Sequence, residues 1–202
     1  MRNCKHYLGI LLLALLGNSA QADDTVWAQS FALQAEGDFY QAAQVLLQDP
    51  ANNNDEYAAL RIGYLSYLRG NYNDAIRFYE KALTLNPSAI DAQLGITLPL
   101  MAQQRWRQVK AHMQQLLKTA PWHYGGHVKL MMAEEALADW SALSRHASQL
   151  TIAYPAEATA WVYLARAASW QGDTGKAKQA YREVLKRIPN HIEASAFIAK
   201  NS

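Results

Sequence analysis

Four prolines recur at one constant spacing along the chain, at Pro87, Pro121, Pro155 and Pro189. Each follows two runs of apolar residues at helical spacing, and proline ends a helix because it has no N–H for the hydrogen-bond ladder. A period held over this much of a 202-residue chain indicates a tandem array of small units, each packed against its neighbours. The sequence therefore predicts consecutive helix–turn–helix units that end at these prolines.

The unit at residues 57–87 shows this pattern most clearly. Two apolar stripes at helical spacing flank a turn at Gly70-Asn71. Small residues, among them Gly63 and Ala75, predict that the two antiparallel helices approach each other closely. The stripes consist of Ala59, Ile62, Gly63 and Tyr67 before the turn and of Ala75, Ile76, Tyr79, Ala82 and Leu83 after it.

This unit resembles a tetratricopeptide repeat, a helix–turn–helix unit of about 34 residues. The resemblance implies an all-α fold, a right-handed superhelical solenoid of antiparallel helix pairs with about five repeats and a C-terminal capping helix. The residues that carry it are Ile62, Gly63, Tyr67, Gly70, Tyr72, Ala75, Tyr79, Ala82 and Pro87. The repeats would span residues 23–53, 55–87, 88–121, 122–155 and 156–189, and the cap residues 190–202.

Three positions depart from the regular pattern. Pro50 arrives early in the first repeat, so its second helix should be short. Pro99 falls inside the first helix of the third repeat, which it should kink or break. The pair Gly125-Gly126 should weaken the start of the first helix of the fourth repeat, because glycine costs about 1 kcal/mol against alanine in a helix interior.

The N-terminal segment, residues 1–22, has the pattern of a secretory signal peptide. Arg2 and Lys5 precede the apolar run from Tyr7 to Leu16, and a small-residue cleavage site ends at Ala22. The run is too short to span a bilayer as a helix, which disfavours the alternative of an uncleaved anchor. We therefore expect cleavage after Ala22, export to the bacterial periplasm and no stable membrane insertion.

Signal cleavage changes the charge and the cysteine content of the chain. It removes Arg2 and Lys5 and leaves 17 basic and 17 acidic side chains. A neutral domain lacks the basic face that nucleic-acid binding requires. The only cysteine, Cys4, lies ahead of the apolar run, where it could not carry a lipid anchor. We expect a thiol-free mature protein, which fits an oxidising compartment.

The resemblance also implies where a partner would bind. In tetratricopeptide-repeat proteins the first helices line a concave groove that holds partner segments. Aromatic rings with arginines between them suit an extended peptide or a C-terminus, because arginine binds carboxylate through two hydrogen bonds. Internal packing is the open alternative for the aromatic residues, whereas for the arginines we favour the groove, since burying an unpaired guanidinium is costly. The predicted groove residues are Trp27, Phe31, Tyr57, Arg61, Tyr64, Lys129, Met132, Tyr163, Arg166 and Trp170.

A weaker pattern points to a metal site. His123, His127 and Met131 follow one another at every fourth position, which would place them on one face of a helix. Imidazole and thioether ligands suit copper. The alternative is two partly exposed histidines and a core methionine. The carboxylates of Glu134 and Glu135 should point to different faces of their helix, on a solvated surface or the rim of the groove.

These patterns predict a non-catalytic adaptor without a cofactor. We expect it to bind another envelope or secreted protein, or a peptide of one, and to serve in envelope assembly or secretion. No nucleophile elbow, phosphate-binding glycine loop or metalloprotease motif occurs in the sequence. Two alternatives stay open: a copper-binding accessory or metallochaperone that uses the histidines, and a self-associating module whose groove holds a second copy.

Overall fold

A computed structural model describes residues 17–201, in which the regular elements are helices. Residues 1–16 of the predicted signal peptide, with Arg2, Cys4 and Lys5, lie outside the described residues. The helices are α1 (Gly17–Ala35), α2 (Phe39–Gln48), α3 (Glu56–Leu68), α4 (Tyr72–Leu85), α5 (Ile90–Gly95), α6 (Thr97–Ala102), α7 (Trp106–Thr119), α8 (Tyr124–Ala136), α9 (Trp140–Ala153), α10 (Ala158–Trp170), α11 (Thr174–Arg187) and α12 (Ile192–Lys200). A 3-10 helix, Pro50–Asn54, follows α2.

Short turns with a left-handed residue join the two helices of a unit. Gly70, Gln104, Ala138 and Gly172 occupy the same position in successive repeats and have φ values of 81°, 56°, 54° and 79°. Glycine adopts this conformation without strain, whereas a side chain at the same φ costs roughly 1–2 kcal/mol. The period is therefore preserved in backbone geometry even where another residue stands in place of glycine.

Aspartates begin several of the second helices. In each case a carboxylate oxygen accepts the backbone N–H of the residue three positions ahead, which satisfies a donor that has no partner within the helix. The N-caps are Asp38 of α2, with Gln41 N at 3.0 Å, Asp139 of α9, with Ala142 N at 3.2 Å, and Asp173 of α11, with Lys176 N at 2.9 Å.

The chain divides into two compact units, Met1–Pro99 and Leu100–Ser202. In the described part of the first unit, α1 packs on α2, α2 on α3, and α3 on α4. Leu46, Ile62, Leu65 and Phe78 form a buried cluster between these helices. Gly63 allows close packing of α3 on α4, because a Cβ there would lie only 3.3 Å from the ring of Tyr79.

In the second unit, consecutive helices from α7 to α12 pack on one another. The core combines large residues with alanines, which let the helix axes approach closely. Gly126 serves the same purpose in α8, because a Cβ there would lie 2.8 Å from the Leu116 side chain on α7. The buried cluster includes Met131, Leu143, Leu150, Ala160, Leu164, Ala167, Tyr181 and Val184.

Two of the irregular positions, Pro99 and Gly125-Gly126, have different effects on their helices. The break predicted around Pro99 lies between Gly95 and Thr97, because the Gly95 carbonyl would bond to the N–H that Pro99 lacks. The expected weakening at Gly125-Gly126 does not prevent a helix: α8 begins at Tyr124 and includes both glycines. Among residues 17–201, no helix has the length and apolar character needed to cross a membrane.

Candidate partner-binding surface

Five of the predicted groove residues lie together in the first unit. The rings of Trp27 and Tyr57 stack with their centroids 5.2 Å apart. The guanidinium of Arg61 lies 3.5 Å above the centre of the Phe31 ring. Tyr57 and Tyr64, both on α3, are 56% and 39% exposed. These contacts connect α1 with α3 and leave aromatic surface open to solvent.

A cleft of about 230 Å³ opens beside these side chains. Arg61, Asp91 and three tyrosines contribute to its wall, so that residues of both charges and aromatic rings line the same space. The lining residues are Tyr57, Leu60, Arg61, Tyr64, Tyr79 and Asp91. Such a cleft has the aromatic area and the few polar groups that anchor a ligand segment.

The environment of Arg61 differs from the prediction, which favoured an accessible groove position because burying an unpaired guanidinium is costly. The residue is only 7% exposed and, among the described residues, no carboxylate pairs with it. Its Nε donates to Ser30 Oγ (3.1 Å) and its Nη1 to Gln34 Oε1 (3.0 Å), while the buried Nη2 has no hydrogen-bond partner in the described part of the chain. Neutral oxygens and the Phe31 ring replace a counter-ion, and burial lowers the pKa of Arg61.

Arg166, in the second unit, has the opposite arrangement. Its Nη2 and Nε donate to Glu193 of α12 at 2.6 and 2.8 Å, and its Nη1 lies 3.3 Å from both carboxylate oxygens of Glu135. The Tyr181 hydroxyl also donates to Glu193, at 2.5 Å. The bonds from Arg166 hold the pKa of Glu193 below its usual range. Arg166 therefore joins α8, α10 and α12 and has little capacity left for a ligand.

The remaining predicted groove residues are more dispersed. Tyr163 is 8% exposed and belongs to the core, where burial raises its pKa to about 12. Trp170 is 69% exposed and stacks on Trp140 with centroids 5.1 Å apart. Lys129 and Met132 are half-buried on α8, and burial lowers the pKa of Lys129. None of these four side chains lines the cleft beside Arg61.

The structure separates the three residues of the metal hypothesis. His123 is the N-cap of α8, and its Nδ1 accepts the Gly126 N–H at 3.0 Å. His127 instead pairs with His146 of α9, with Nδ1 and Nε2 2.9 Å apart. Met131 is fully buried. Among the side chains that the structure describes, residues 25–201, no group of three or more His, Cys, Asp or Glu is placed to hold a metal ion.

Glu134 and Glu135 point to different faces, as predicted, but neither face is a solvated surface. Glu134 is 5% exposed and bonds to His146 of α9 at 3.0 Å, whereas Glu135 pairs with Arg166 of α10. Sequence reasoning did not identify His146, which lies 19 residues from His127. No local motif marks the pair, because only the packing of α8 on α9 brings the two rings together.

Comparison with known proteins gives two stretches that match the family model described as "Tetratricopeptide repeat", residues 57–89 and 159–191. No curated protein sequence matches the chain.

Several solved structures are similar to the chain. A tetratricopeptide repeat protein from Parabacteroides merdae is 14% identical and aligns over 89% of this chain and 72% of its own, with a TM-score of 0.78. YrrB, described as "a TPR protein with an unusual peptide-binding site", is 15% identical over 94% and 97%, with a TM-score of 0.75. MamA from Desulfovibrio magneticus RS-1 is 15% identical over 85% and 97%, with a TM-score of 0.73. These likenesses confirm the predicted all-α fold of helix pairs.

Proposed function

We propose that this chain, which is a tetratricopeptide-repeat protein, is an exported, non-catalytic adaptor that binds an extended peptide segment of another protein. The fold itself supports a protein or peptide partner. The signal-like pattern of residues 1–22 supports export to the bacterial cell envelope. We place the partner segment on the cleft of the first unit, beside Arg61.

The observation that carries this proposal is Arg61, which is one of the residues that line an open cleft and which, among the described residues, has no carboxylate partner. A carboxylate that enters the cleft would meet this cation where little water screens it, so that the attraction is stronger than at an exposed site. Tyr57 and Tyr64 supply exposed rings beside it, and aromatic rings contribute contact area at low entropic cost. A peptide with a C-terminal carboxylate or an acidic side chain fits this chemistry.

The contrast between the two arginines favours the first unit over the second. Arg166 already has two carboxylates, Glu135 and Glu193, so a partner's carboxylate would have to displace one of them. Among the described residues, Arg61 bonds only to the neutral oxygens of Ser30 and Gln34. The similarity to YrrB, described as having an unusual peptide-binding site, supports a peptide as the class of partner.

A peptide library tests the proposed binding site. The full-length chain would be screened against random decapeptides with a free C-terminal carboxylate and against the same library with a C-terminal amide. We expect carboxylate peptides to be enriched, and the enrichment to be lost in Arg61→Met and in the double variant Tyr57→Ala, Tyr64→Ala. Trp122→Ala, which removes a 76% exposed ring of the second unit, is the matched control.

Two results would count against the proposal. Equal recovery of the acid and amide libraries, without enrichment of acidic side chains in either, would remove the role of Arg61. Unchanged binding in the double tyrosine variant would move the site away from the cleft. Circular dichroism of each variant shows whether the helices are retained. Fractionation of cells tests export separately: we expect the chain in the periplasmic fraction, shortened by the signal peptide.

A further inference from the structure

A chain of three hydrogen bonds links α8 to α9 in the second unit. His127 Nε2 lies 2.8 Å from the carbonyl oxygen of Pro121, and His127 Nδ1 lies 2.9 Å from His146 Nε2. His146 Nδ1 lies 3.0 Å from Glu134 Oε2. The His146 and Glu134 side chains are only 12% and 6% exposed. Each ring nitrogen of both histidines therefore has a partner inside the protein.

The number of protons in this chain follows from the chemistry of its two ends. The Pro121 carbonyl can only accept, so His127 Nε2 must donate; an ionised Glu134 can also only accept. Three hydrogen bonds contain three protons, whereas two neutral imidazoles and a carboxylate bring two. One proton more is needed, whether it is assigned to His146 or to Glu134.

We propose that the His127–His146 pair holds this additional proton and acts as a pH-sensitive latch between α8 and α9. The proton makes His146 an imidazolium that donates from both nitrogens, to His127 on one side and to Glu134 on the other. When the proton leaves, two hydrogen-bond acceptors face each other at one of the three contacts. That contact is then lost or its side chains must turn.

The surroundings place the charge on His146 rather than on His127. His127 bonds to a neutral carbonyl, and burial lowers its pKa, with His146 and His123 acting in the same direction. His146 instead faces the carboxylate of Glu134. Three charged side chains of the other packed helices bond to partners other than Glu134. These are Lys110 of α7 on Asp139, Arg166 of α10 on Glu135 and Lys176 of α11 on Ser144.

The latch lies beside an exposed cleft, and we expect the release of the latch to change the surface of that cleft. A cleft of about 660 Å³ is lined by both histidines, and two of its other lining residues, Trp122 and Ile152, are 76% and 81% exposed. The Tyr154 hydroxyl donates to the Trp122 carbonyl at 2.7 Å, next to the bond from His127 to Pro121. Two side chains, Tyr154 and His127, thus hold consecutive carbonyls of the loop before α8, and His127 belongs to the chain of bonds that holds the added proton.

The direction of the pH effect follows from proton linkage. The unfolded chain has two independent imidazoles, which together bind about two protons well below their ordinary pKa of about 6.5 and none well above it, whereas the folded pair binds one. The contribution of this pair to stability should therefore be greatest near about pH 6.5 and be lost at higher pH, as the proton leaves the folded chain. We expect the Tm of the full-length chain to fall by a few °C from this site between about pH 6.5 and about pH 8.5.

Glu134→Gln separates the latch from a merely structural contact. A glutamine amide can donate to His146 Nδ1, so two neutral imidazoles and the amide supply all three protons. We expect this variant to keep its Tm at high pH and to lose the fall in Tm above about pH 6.5, because its folded pair binds no additional proton. His123→Ala, which removes a neighbouring histidine outside the chain of bonds, should keep the dependence. An unchanged slope in Glu134→Gln would overturn the proposal.

A second measurement does not depend on any variant. In the full-length chain with 15N-labelled histidine, NMR at about pH 6 should show His146 protonated on both nitrogens and His127 on Nε2 alone. Two singly protonated rings would refute the added proton. Zn²⁺ at one equivalent, compared with EDTA, distinguishes a metal from a proton: a Zn²⁺-dependent rise in Tm that is lost in His146→Gln would also overturn the latch.

Discussion

Gly95→Ala should destabilise the first unit, although alanine usually favours a helix. Gly95 is the last residue of α5. A Cβ there would lie 2.3 Å from Tyr79 Cε1 and 2.7 Å from Cζ. Ordinary carbon–carbon contacts are about 3.5–4.0 Å, so the ring would have to move by more than about 1 Å. Because Tyr79 is only 3% exposed, neighbouring side chains block that movement.

The expected magnitude comes from two opposing effects. Overpacking a well-filled core costs about 1–3 kcal/mol. Replacing glycine by alanine regains up to about 1 kcal/mol in a helix interior, and less at the last residue of α5. The net loss should be about 1–2 kcal/mol, which lowers Tm by roughly 2–8 °C in a chain of this size.

Gly63→Ala is the matched control, because it approaches the same tyrosine ring from α3. A Cβ at Gly63 would lie 3.3 Å from Tyr79 Cγ and Cδ2, so shifts of a few tenths of an ångström suffice. The position lies inside the helix, where alanine regains about 1 kcal/mol. We therefore expect Gly63→Ala to be close to neutral. The bulkier Gly63→Leu should destabilise the unit by overpacking.

Urea and thermal unfolding of the full-length variants, followed by circular dichroism, provide the measurement. A Gly95→Ala variant as stable as Gly63→Ala would refute the reasoning. A double-mutant cycle identifies the obstacle: in a Tyr79→Leu background, the cost of Gly95→Ala should fall, because the ring that it strikes is absent. An unchanged cost would place the strain elsewhere.

Two further predictions concern the second unit. Ala138→Gly should raise stability by about 1 kcal/mol in urea, because Ala138 has a φ of 54°; Ala133→Gly, inside α8, should lower it. Arg166→Met should cost about 1–2 kcal/mol, less than a fully buried pair because a third of the side chain is exposed. Because Arg166 lowers the pKa of Glu193, this part of the stability exists above the ordinary glutamate range and is lost on acidification. Tm profiles from about pH 7 to about pH 3 should be shallower in Arg166→Met.

The helix boundaries were the most predictable part of the structure. The second helices α4, α7, α9 and α11 all end two residues before the proline of their repeat. The physical reason is local, because proline disfavours helical backbone in the residue before it and provides no N–H. The turn glycines were equally predictable at Gly70 and Gly172, but not at Gln104 and Ala138. At those two positions only the register of the repeats indicates the left-handed backbone.

The side-chain partners were much less predictable, because they lie about one repeat away in the sequence. Arg166 bonds to residues 31 positions before it and 27 positions after it. Arg61 bonds to residues 31 and 27 positions before it. At the offset that the two arginines share, 31 residues before each, Arg166 has Glu135 and Arg61 has Ser30. The general cost of burying a guanidinium is the same for both arginines and could not distinguish them. The residues to which they bond, about one repeat away in the sequence, do distinguish them, because they are acidic for Arg166 and neutral for Arg61.

That difference has a functional consequence for the first unit. A buried guanidinium held only by neutral groups remains electrostatically unsatisfied, so an incoming carboxylate gains more there than beside an arginine that is already paired. Arg61→Met should therefore cost little stability while it removes carboxylate-dependent peptide binding. Arg166→Met should do the reverse. If both variants lose stability equally and neither changes binding, Arg61 is a packing residue, and the partner segment lies outside the cleft of the first unit.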